Sequence, residues 1–141
     1  MLIDKKLIKD IKINVARSLS EDIGDGDITA QLIPKNVVSD ALVVTREKAI
    51  LCGQAWFDEV FNQLDHSVTV KWLVQDGARL EPDQHICTLN GPARSLLTGE
   101  RVALNFLQTL SGTATTAREY AILASESGVE ILDTRKTIPG L

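Results

Sequence analysis

The chain has 141 residues, of which 44% are hydrophobic and 24% charged, and its formal net charge at pH 7 is −4. This composition is typical of a soluble globular protein, and it excludes a disordered tail, a collagen-like repeat and a membrane bundle. The length suits one ordinary domain or part of a larger one. Because the charge balance is acidic and no long basic stretch occurs, nucleic acid is not an expected partner.

The N-terminal segment, the longest uncharged run and the cysteines indicate the cellular compartment of the protein. Lysines interrupt the apolar residues near the N-terminus, so no signal peptide is predicted. The longest uncharged run, residues 102–117, is shorter than the roughly 18 residues that a membrane span needs. We therefore expect a cytoplasmic protein that does not bind membranes. Cys52 and Cys87 lie far apart and belong to no CxxC motif, which predicts reduced core thiols rather than a disulfide or metal site.

Helix and strand patterns alternate along the first two thirds of the chain. Apolar residues recur at helical spacing over 4–19 and over 54–64, and both segments predict helices. Three further segments are rich in β-branched residues and predict strands. The predicted strands are 41–45, 67–74 and 85–89. An Asp-Gly pair at 76–77 predicts a turn between the last two strands.

The segment EDIGDGDIT at 21–29 alternates glycines and carboxylates, which favours a structured turn over continued helix. A calcium loop that began at Asp22, Asp25 or Asp27 would have neither glycine at its sixth position nor glutamate at its twelfth. We therefore do not expect calcium here.

From residue 93 to residue 127 the pattern is helical, but glycines interrupt it. Breaks are expected near Gly99 and at 111–112, so the pattern favours two helices over one. Gly128 is a plausible C-cap, and residues 129–132 predict a short strand that Pro139 and Gly140 follow. A strand that arrives directly from a helix is typical of the start of a parallel βα array.

Two groups of polar residues are candidates for binding an anion. Arg135 and Lys136 follow the last predicted strand, at the end where α/β sheets bind ligands, although spacing alone favours a solvated turn. Arg101 follows the predicted helix start at Gly99, where a cation opposes the helix dipole; a salt bridge explains it equally well. Asn105 and Gln108 share its helix face and are candidates for a polar network with it, although hydrogen bonding between helices is the commoner use of buried amides. His66 and His85 have no second ligand at metal spacing and are expected to be ordinary polar residues.

Three segments together resemble the quinolinate phosphoribosyltransferase family, also called nicotinate-nucleotide pyrophosphorylase (carboxylating). They are EDIGDGDIT at 21–29, GERVALNFLQTLSGTAT at 99–115 and DTRKTIPGL at 133–141. The resemblance implies an α/β fold: an α+β sandwich domain over residues 1–112, then the first strand of an incomplete α/β barrel over residues 113–141. The sandwich would include helices of the dimer interface.

The same resemblance implies the chemistry. The ring nitrogen of quinolinate attacks the anomeric carbon of phosphoribosyl pyrophosphate, Mg²⁺ assists the departure of pyrophosphate, and loss of CO₂ gives nicotinate mononucleotide. Thr134, Arg135 and Lys136 match the family's substrate-contacting residues. Arg101 matches an arginine that a family dimer contributes to the neighbouring subunit's site, so a homodimer or higher homo-oligomer is implied. The family's acidic residues near the ribose and metal match no position of this chain, and no catalytic residue is assigned.

Family members continue through further barrel strands that carry phosphate-binding loops, so the 141-residue chain alone is expected to be inactive. Two other interpretations stay open. A sister phosphoribosyltransferase would use nicotinate or another base. A lipoyl- or biotinyl-like carrier would use Lys48, which lies between predicted strands, although a lysine in such a turn is usually solvated.

Overall fold

The computed structural model of the chain describes residues 4–24, 26–134, 136 and 138. Within them the chain forms helices and strands in mixed order, which confirms the predicted α/β class. The elements are α1 (Lys5–Ile23), α2 (Ile28–Gln31), β1 (Val38–Val44), β2 (Ala49–Ile50), α3 (Gln54–Leu64), β3 (Thr69–Trp72), β4 (Arg79–Leu80), β5 (His85–Pro92) and α4 (Ala93–Ser127).

The three predicted strands form one antiparallel sheet in the order β1-β5-β3. β5 is central, with Leu89 opposite Ala41 on one side and Val70 on the other. β3 begins later than the pattern predicts because the Asp65 carboxylate accepts hydrogen bonds from both the backbone N–H and the hydroxyl of Ser67, at 2.9 and 2.6 Å, and so forms a turn there. A separate two-stranded sheet pairs β2 with β4.

The core lies between the sheet and helices α1, α3 and α4 and consists mostly of aliphatic side chains, as the low aromatic content predicts. Its buried members include Ile11, Val15, Leu19, Leu51, Phe57, Val60, Phe61, Cys87, Leu89, Leu96, Val102, Ala103, Phe106 and Leu107. The ring of Phe57 contacts both Phe61 and Trp72, with centroids 5.4 and 5.2 Å apart. Both cysteines are free, and Cys87 is buried, as expected.

α4 is one continuous helix of 35 residues, so the predicted breaks near Gly99 and at 111–112 are wrong. Gly99 allows a close approach: a Cβ atom there would lie 2.6 Å from Cε1 of Phe61. The Ser111 hydroxyl hydrogen-bonds the backbone of Cys52 instead of ending the helix. Packing against α3 and β2 thus holds α4 together across residues of low helix propensity.

Gly128 ends α4 in the left-handed conformation, with φ of 70°, and its N–H donates to the Ala124 carbonyl, which confirms the predicted C-cap. The predicted strand at 129–132 is wrong, because these residues have no regular secondary structure and no neighbouring strand among the described residues. A β-strand needs a partner for its backbone N–H and C=O groups. Pro139 and Gly140 lie outside the described residues.

Candidate functional site

The polar side chains of one α4 face form the floor of an open groove. Thr98, Arg101, Asn105 and Gln108 recur at spacings of three and four residues, which brings them to one side of the helix. The opposite wall consists of Asp22, Ile23 and residues 26–29, which belong to the acidic segment at 21–29 that begins in the last turn of α1. The helix pattern placed these side chains on one face, but it did not indicate what lies across from them.

Arg101 lies inside α4, well past its first turn, so the predicted helix start near Gly99 and the helix-dipole argument built on it are wrong. Its Nη1 atom lies 3.0 Å from Oδ1 of Asp22, which confirms the salt-bridge interpretation. The Arg101 side chain is 74% exposed, whereas that of Asp22 is 21% exposed. The guanidinium therefore stands at the protein surface, anchored to a half-buried carboxylate.

The turn predicted at 21–29 begins later than expected, because α1 continues to Ile23 and ends at Gly24, whose φ is 51°. Asp25 lies outside the described residues. Asp27 is the N-cap of α2: its Oδ1 accepts from the backbone N–H of Ala30 at 2.9 Å, and its Oδ2 accepts from the Thr98 hydroxyl at 2.7 Å. These bonds, with a smaller contribution from the Arg101 charge, lower the pKa of Asp27. The acidic segment is thereby fastened to α4.

Arg94 fastens the other end of α2. Its Nε donates to the Ile33 carbonyl at 2.6 Å and its Nη2 donates to the Gln31 carbonyl at 3.0 Å. A cation that binds the last carbonyls of a helix stabilises that end. The sequence did not predict this contact, since the spacing of Arg94, Thr98 and Arg101 indicates only that they share one face of α4.

Asn105 and Gln108 line the same groove as Arg101, as predicted. Within the described residues, however, neither amide hydrogen-bonds the Arg101 guanidinium. The three side chains therefore share a face, and among the described residues the candidate network between them is not formed.

One described residue of the segment after α4, Ile138, lies near Arg101. Ile138 lines a hollow that adjoins the groove, together with Ser18, Asp22 and Arg101. Thr134 and Lys136 are exposed, and the Lys136 N–H donates to the Thr134 hydroxyl at 3.3 Å. Arg135 lies outside the described residues. No contact between this segment's polar side chains and Arg101 occurs among the residues described, so the predicted roles of Arg101, Thr134, Arg135 and Lys136 stay predictions.

Other candidate sites find no support among the described residues. No group of three or more His, Cys, Asp or Glu side chains there is close enough together to hold a metal ion. His66 and His85 are exposed. Lys48 does not occupy a hairpin tip, because the strands on either side of it, β1 and β2, belong to different sheets. Its ammonium lies 3.7 Å from Glu81, in an exposed ion pair. None of the helices described is long and apolar enough to cross a membrane.

A small antiparallel sheet packed against three helices, with a polar groove along the longest helix, defines an α/β sandwich domain, and the exposed Arg101 lies in that groove. The family model described as quinolinate phosphoribosyl transferase, N-terminal domain, matches residues 27–111. The chain belongs to this family, as its motifs predicted.

Several known proteins are similar to the chain. The probable nicotinate-nucleotide pyrophosphorylase [carboxylating] of Bacillus subtilis is 43% identical over 86% of this chain and 42% of its own length. The mitochondrial quinolinate phosphoribosyltransferase [decarboxylating] 2b of Nicotiana tabacum is 39% identical over 94% of this chain and 38% of its own. The solved nicotinate-nucleotide pyrophosphorylase of Francisella tularensis superposes with a TM-score of 0.90 and 46% identity, over 94% of this chain and 48% of its own. The chain thus spans about two fifths to half the length of these relatives.

Proposed function

We propose that the polypeptide carrying this chain transfers the phosphoribosyl group of phosphoribosyl pyrophosphate to quinolinate, with release of pyrophosphate and CO₂ and formation of nicotinate mononucleotide. The observation that carries the proposal is the family match over residues 27–111, which the likeness to the solved Francisella pyrophosphorylase supports. We propose the cytoplasm as its location.

Quinolinate carries two carboxylates, and its reaction leaves charge on the ring after decarboxylation. Preorganised cations stabilise such charge most effectively in a site from which water is excluded. We assign this task to Arg101, Arg135 and Lys136, with the Thr134 hydroxyl as a neutral donor. Mg²⁺ bound to phosphoribosyl pyrophosphate belongs to the proposal, but we assign it to none of the described residues.

Arg101 is exposed, and its contact with Asp22 uses a single nitrogen, so with respect to the described residues its other N–H donors are open to a ligand from outside this domain. An isologous homodimer would supply that ligand: each subunit would add its Arg101 to a site formed by its partner's Arg135 and Lys136. The exposed position of Arg101 supports this arrangement over one in which the arginine serves only its own fold.

The direct test measures release of CO₂ from carboxyl-labelled quinolinate by the full-length gene product. We expect release that depends on phosphoribosyl pyrophosphate. Turnover of nicotinate in its place, with no quinolinate turnover, would establish the sister phosphoribosyltransferase instead.

Arg135→Ala and Lys136→Ala should each cost about 2–4 kcal/mol in kcat/KM, as the loss of a preorganised charge contact does. Normal kcat/KM for either variant would mean that its residue lies in a solvated turn and does not contact the substrate.

A further inference from the structure

We propose that Asp22 is a positioning residue for Arg101: its carboxylate holds one edge of the guanidinium, so that the remaining N–H donors face an anionic substrate group. This inference rests on the proposed function, because it assigns a task to the acidic segment of the same site. It gives the EDIGDGDIT segment a role that its sequence did not reveal.

The contact geometry suits this role. A guanidinium is a planar fork with five N–H donors, and the pairing of Nη1 with Oδ1 of Asp22 at 3.0 Å leaves Nε and Nη2 uncommitted among the described residues. An unrestrained arginine at the surface samples many rotamers, and a ligand must then select one of them. Asp22 removes much of that freedom before the ligand arrives.

Asp22 is itself well placed to act as an anchor. It lies in the last turn of α1, and its side chain is only 21% exposed. The chain that follows is fastened to α4 through Asp27 and Thr98, and again through Arg94. The Asp22 carboxylate therefore lies in a helix whose following residues are held to α4 by hydrogen bonds.

Electrostatics alone would predict the opposite effect of Asp22. A carboxylate beside Arg101 lowers the local positive potential and so weakens long-range attraction for an anion. If that were its whole effect, Asp22→Asn would bind quinolinate more tightly. If Asp22 positions the guanidinium, Asp22→Asn would bind it less tightly, because a displacement of about 1 Å is enough to cost a large factor in a preorganised site. The sign of the change therefore separates the two effects.

The kinetic test uses the full-length gene product. For Asp22→Asn we expect KM for quinolinate to rise roughly tenfold, with KM for phosphoribosyl pyrophosphate unchanged and partial rescue in Asp22→Glu. In an Arg101→Ala background Asp22→Asn should cause no further loss, since its effect passes through Arg101. The matched control is Asp83→Asn, which removes the exposed ion pair of Arg46 and Asp83 at 3.4 Å. It should leave both KM values unchanged.

An unchanged or lowered KM for quinolinate in Asp22→Asn would overturn the inference and leave the proposed function standing. Additive losses in the double variant would do the same, because they would indicate a structural role. Normal kinetics in Arg101→Ala would overturn the role of Arg101 and this inference together.

A second measurement does not depend on activity. In the ¹⁵N-labelled 141-residue chain, the Nε–Hε resonance of Arg101 can be assigned by its loss in Arg101→Lys. We expect Asp22→Asn to shift this resonance and to speed its exchange with water, and Asp83→Asn to leave it unchanged. An unaltered resonance in Asp22→Asn would show that the carboxylate does not hold the guanidinium, whatever reaction the protein catalyses.

Discussion

Two hydroxyls of α4 take the place of backbone partners for the segment at residues 50–52. The Ser111 hydroxyl accepts from the Cys52 N–H at 3.0 Å and donates to the Cys52 carbonyl at 3.1 Å. The Thr115 hydroxyl accepts from the Ile50 N–H at 2.9 Å. Buried backbone groups without partners are costly, so these side chains stabilise the junction between β2 and α3.

Ser111→Ala should lower the free energy of unfolding by about 1–3 kcal/mol, because it leaves the Cys52 N–H and carbonyl unpaired. Urea denaturation followed by tryptophan fluorescence measures the change. The matched control is Thr113→Ala, which removes an exposed hydroxyl whose one side-chain bond among the described residues is to the Thr109 carbonyl of its own helix. An equal loss in both variants would mean that the Cys52 contact contributes nothing specific.

Asp58 is a half-buried carboxylate, and its Oδ1 accepts from the Trp72 indole N–H at 2.9 Å. Burial raises its pKa above the ordinary 3.8, and the charge of Asp76 raises it further, although the Trp72 bond acts in the opposite direction. Burial, with the charge of Asp58, in turn raises the pKa of Cys87 to about 12. The ionised form of Asp58 is therefore less favourable in the folded protein than in the unfolded chain.

Because the folded pKa of Asp58 is raised, the folded state binds more protons, and stability falls as pH rises through the interval above 3.8. Asp58→Asn keeps an oxygen that can accept from Trp72 but cannot ionise. We expect its stability relative to the wild type to increase between about pH 3 and about pH 7 in urea titrations.

Asp65 serves as a control of opposite sign. Hydrogen bonds from the hydroxyls of Ser67 and Ser95 lower its pKa, so its stabilising effect is lost as pH falls through the folded pKa. Asp65→Asn should therefore lose stability relative to the wild type as pH rises. Parallel pH dependence in the Asp58 and Asp65 variants would contradict both assignments.

At the scale of elements, α4 passes through two glycines that differ in their surroundings. Gly99 is buried, and a Cβ there would lie 2.6 Å from Phe61 Cε1 and 2.9 Å from Leu64 Cδ1. Phe61 is 3% exposed and has little room to move. At Gly112, apart from its chain neighbours and the adjoining backbone of α4, no heavy atom of the described residues would lie within 4 Å of an added Cβ.

The same substitution at these two positions should therefore have opposite effects. Gly99→Ala gains about 1 kcal/mol of helix propensity but overpacks the contact with α3, for a net loss of about 1–2 kcal/mol. Gly112→Ala has the same gain in helix propensity without the overpacking, so its free energy of unfolding should rise by up to about 1 kcal/mol. Thermal or urea unfolding measures both changes. If Gly99→Ala has the same free energy of unfolding as the wild type or a higher one, α3 can move away from α4 at no loss of stability.

At the scale of the whole molecule, the proposed site draws on two subunits. An isologous dimer contains two equal sites, and each would combine Arg101 of one chain with Arg135 and Lys136 of the other. A variant in either group would then damage both sites of its homodimer. A mixed dimer would have one site with both defects and one with neither.

Full-length Arg101→Ala and Arg135→Ala proteins, each nearly inactive, should therefore regain activity after subunit exchange. A random mixture should approach about a quarter of wild-type activity, since half the dimers are mixed and each has one intact site. As a control, Arg135→Ala mixed with Lys136→Ala should not recover, because both defects then lie in the same group. No recovery in a preparation shown to contain folded mixed dimers would mean that Arg101 serves its own subunit.

Local patterns in the sequence were sufficient for several elements of this fold. The helix at 54–64 has the predicted bounds, the three main strands occur near their predicted places, and Gly128 caps α4 as expected. These features depend on periodicity, propensity and a single residue's φ, all of which are encoded within a few neighbouring residues. The motifs that carried the family resemblance are likewise local.

The tertiary structure alone decided which neighbours these segments meet. Packing of Phe61 against Gly99 and bonding of Ser111 to Cys52 kept α4 continuous where propensity favoured breaks. The pair of Asp22 with Arg101 joins residues 79 positions apart. Periodicity shows which face of an element is buried, but it contains no information about the group that will lie opposite. Contacts between distant segments form only when the whole chain packs, and the groove is built from such contacts.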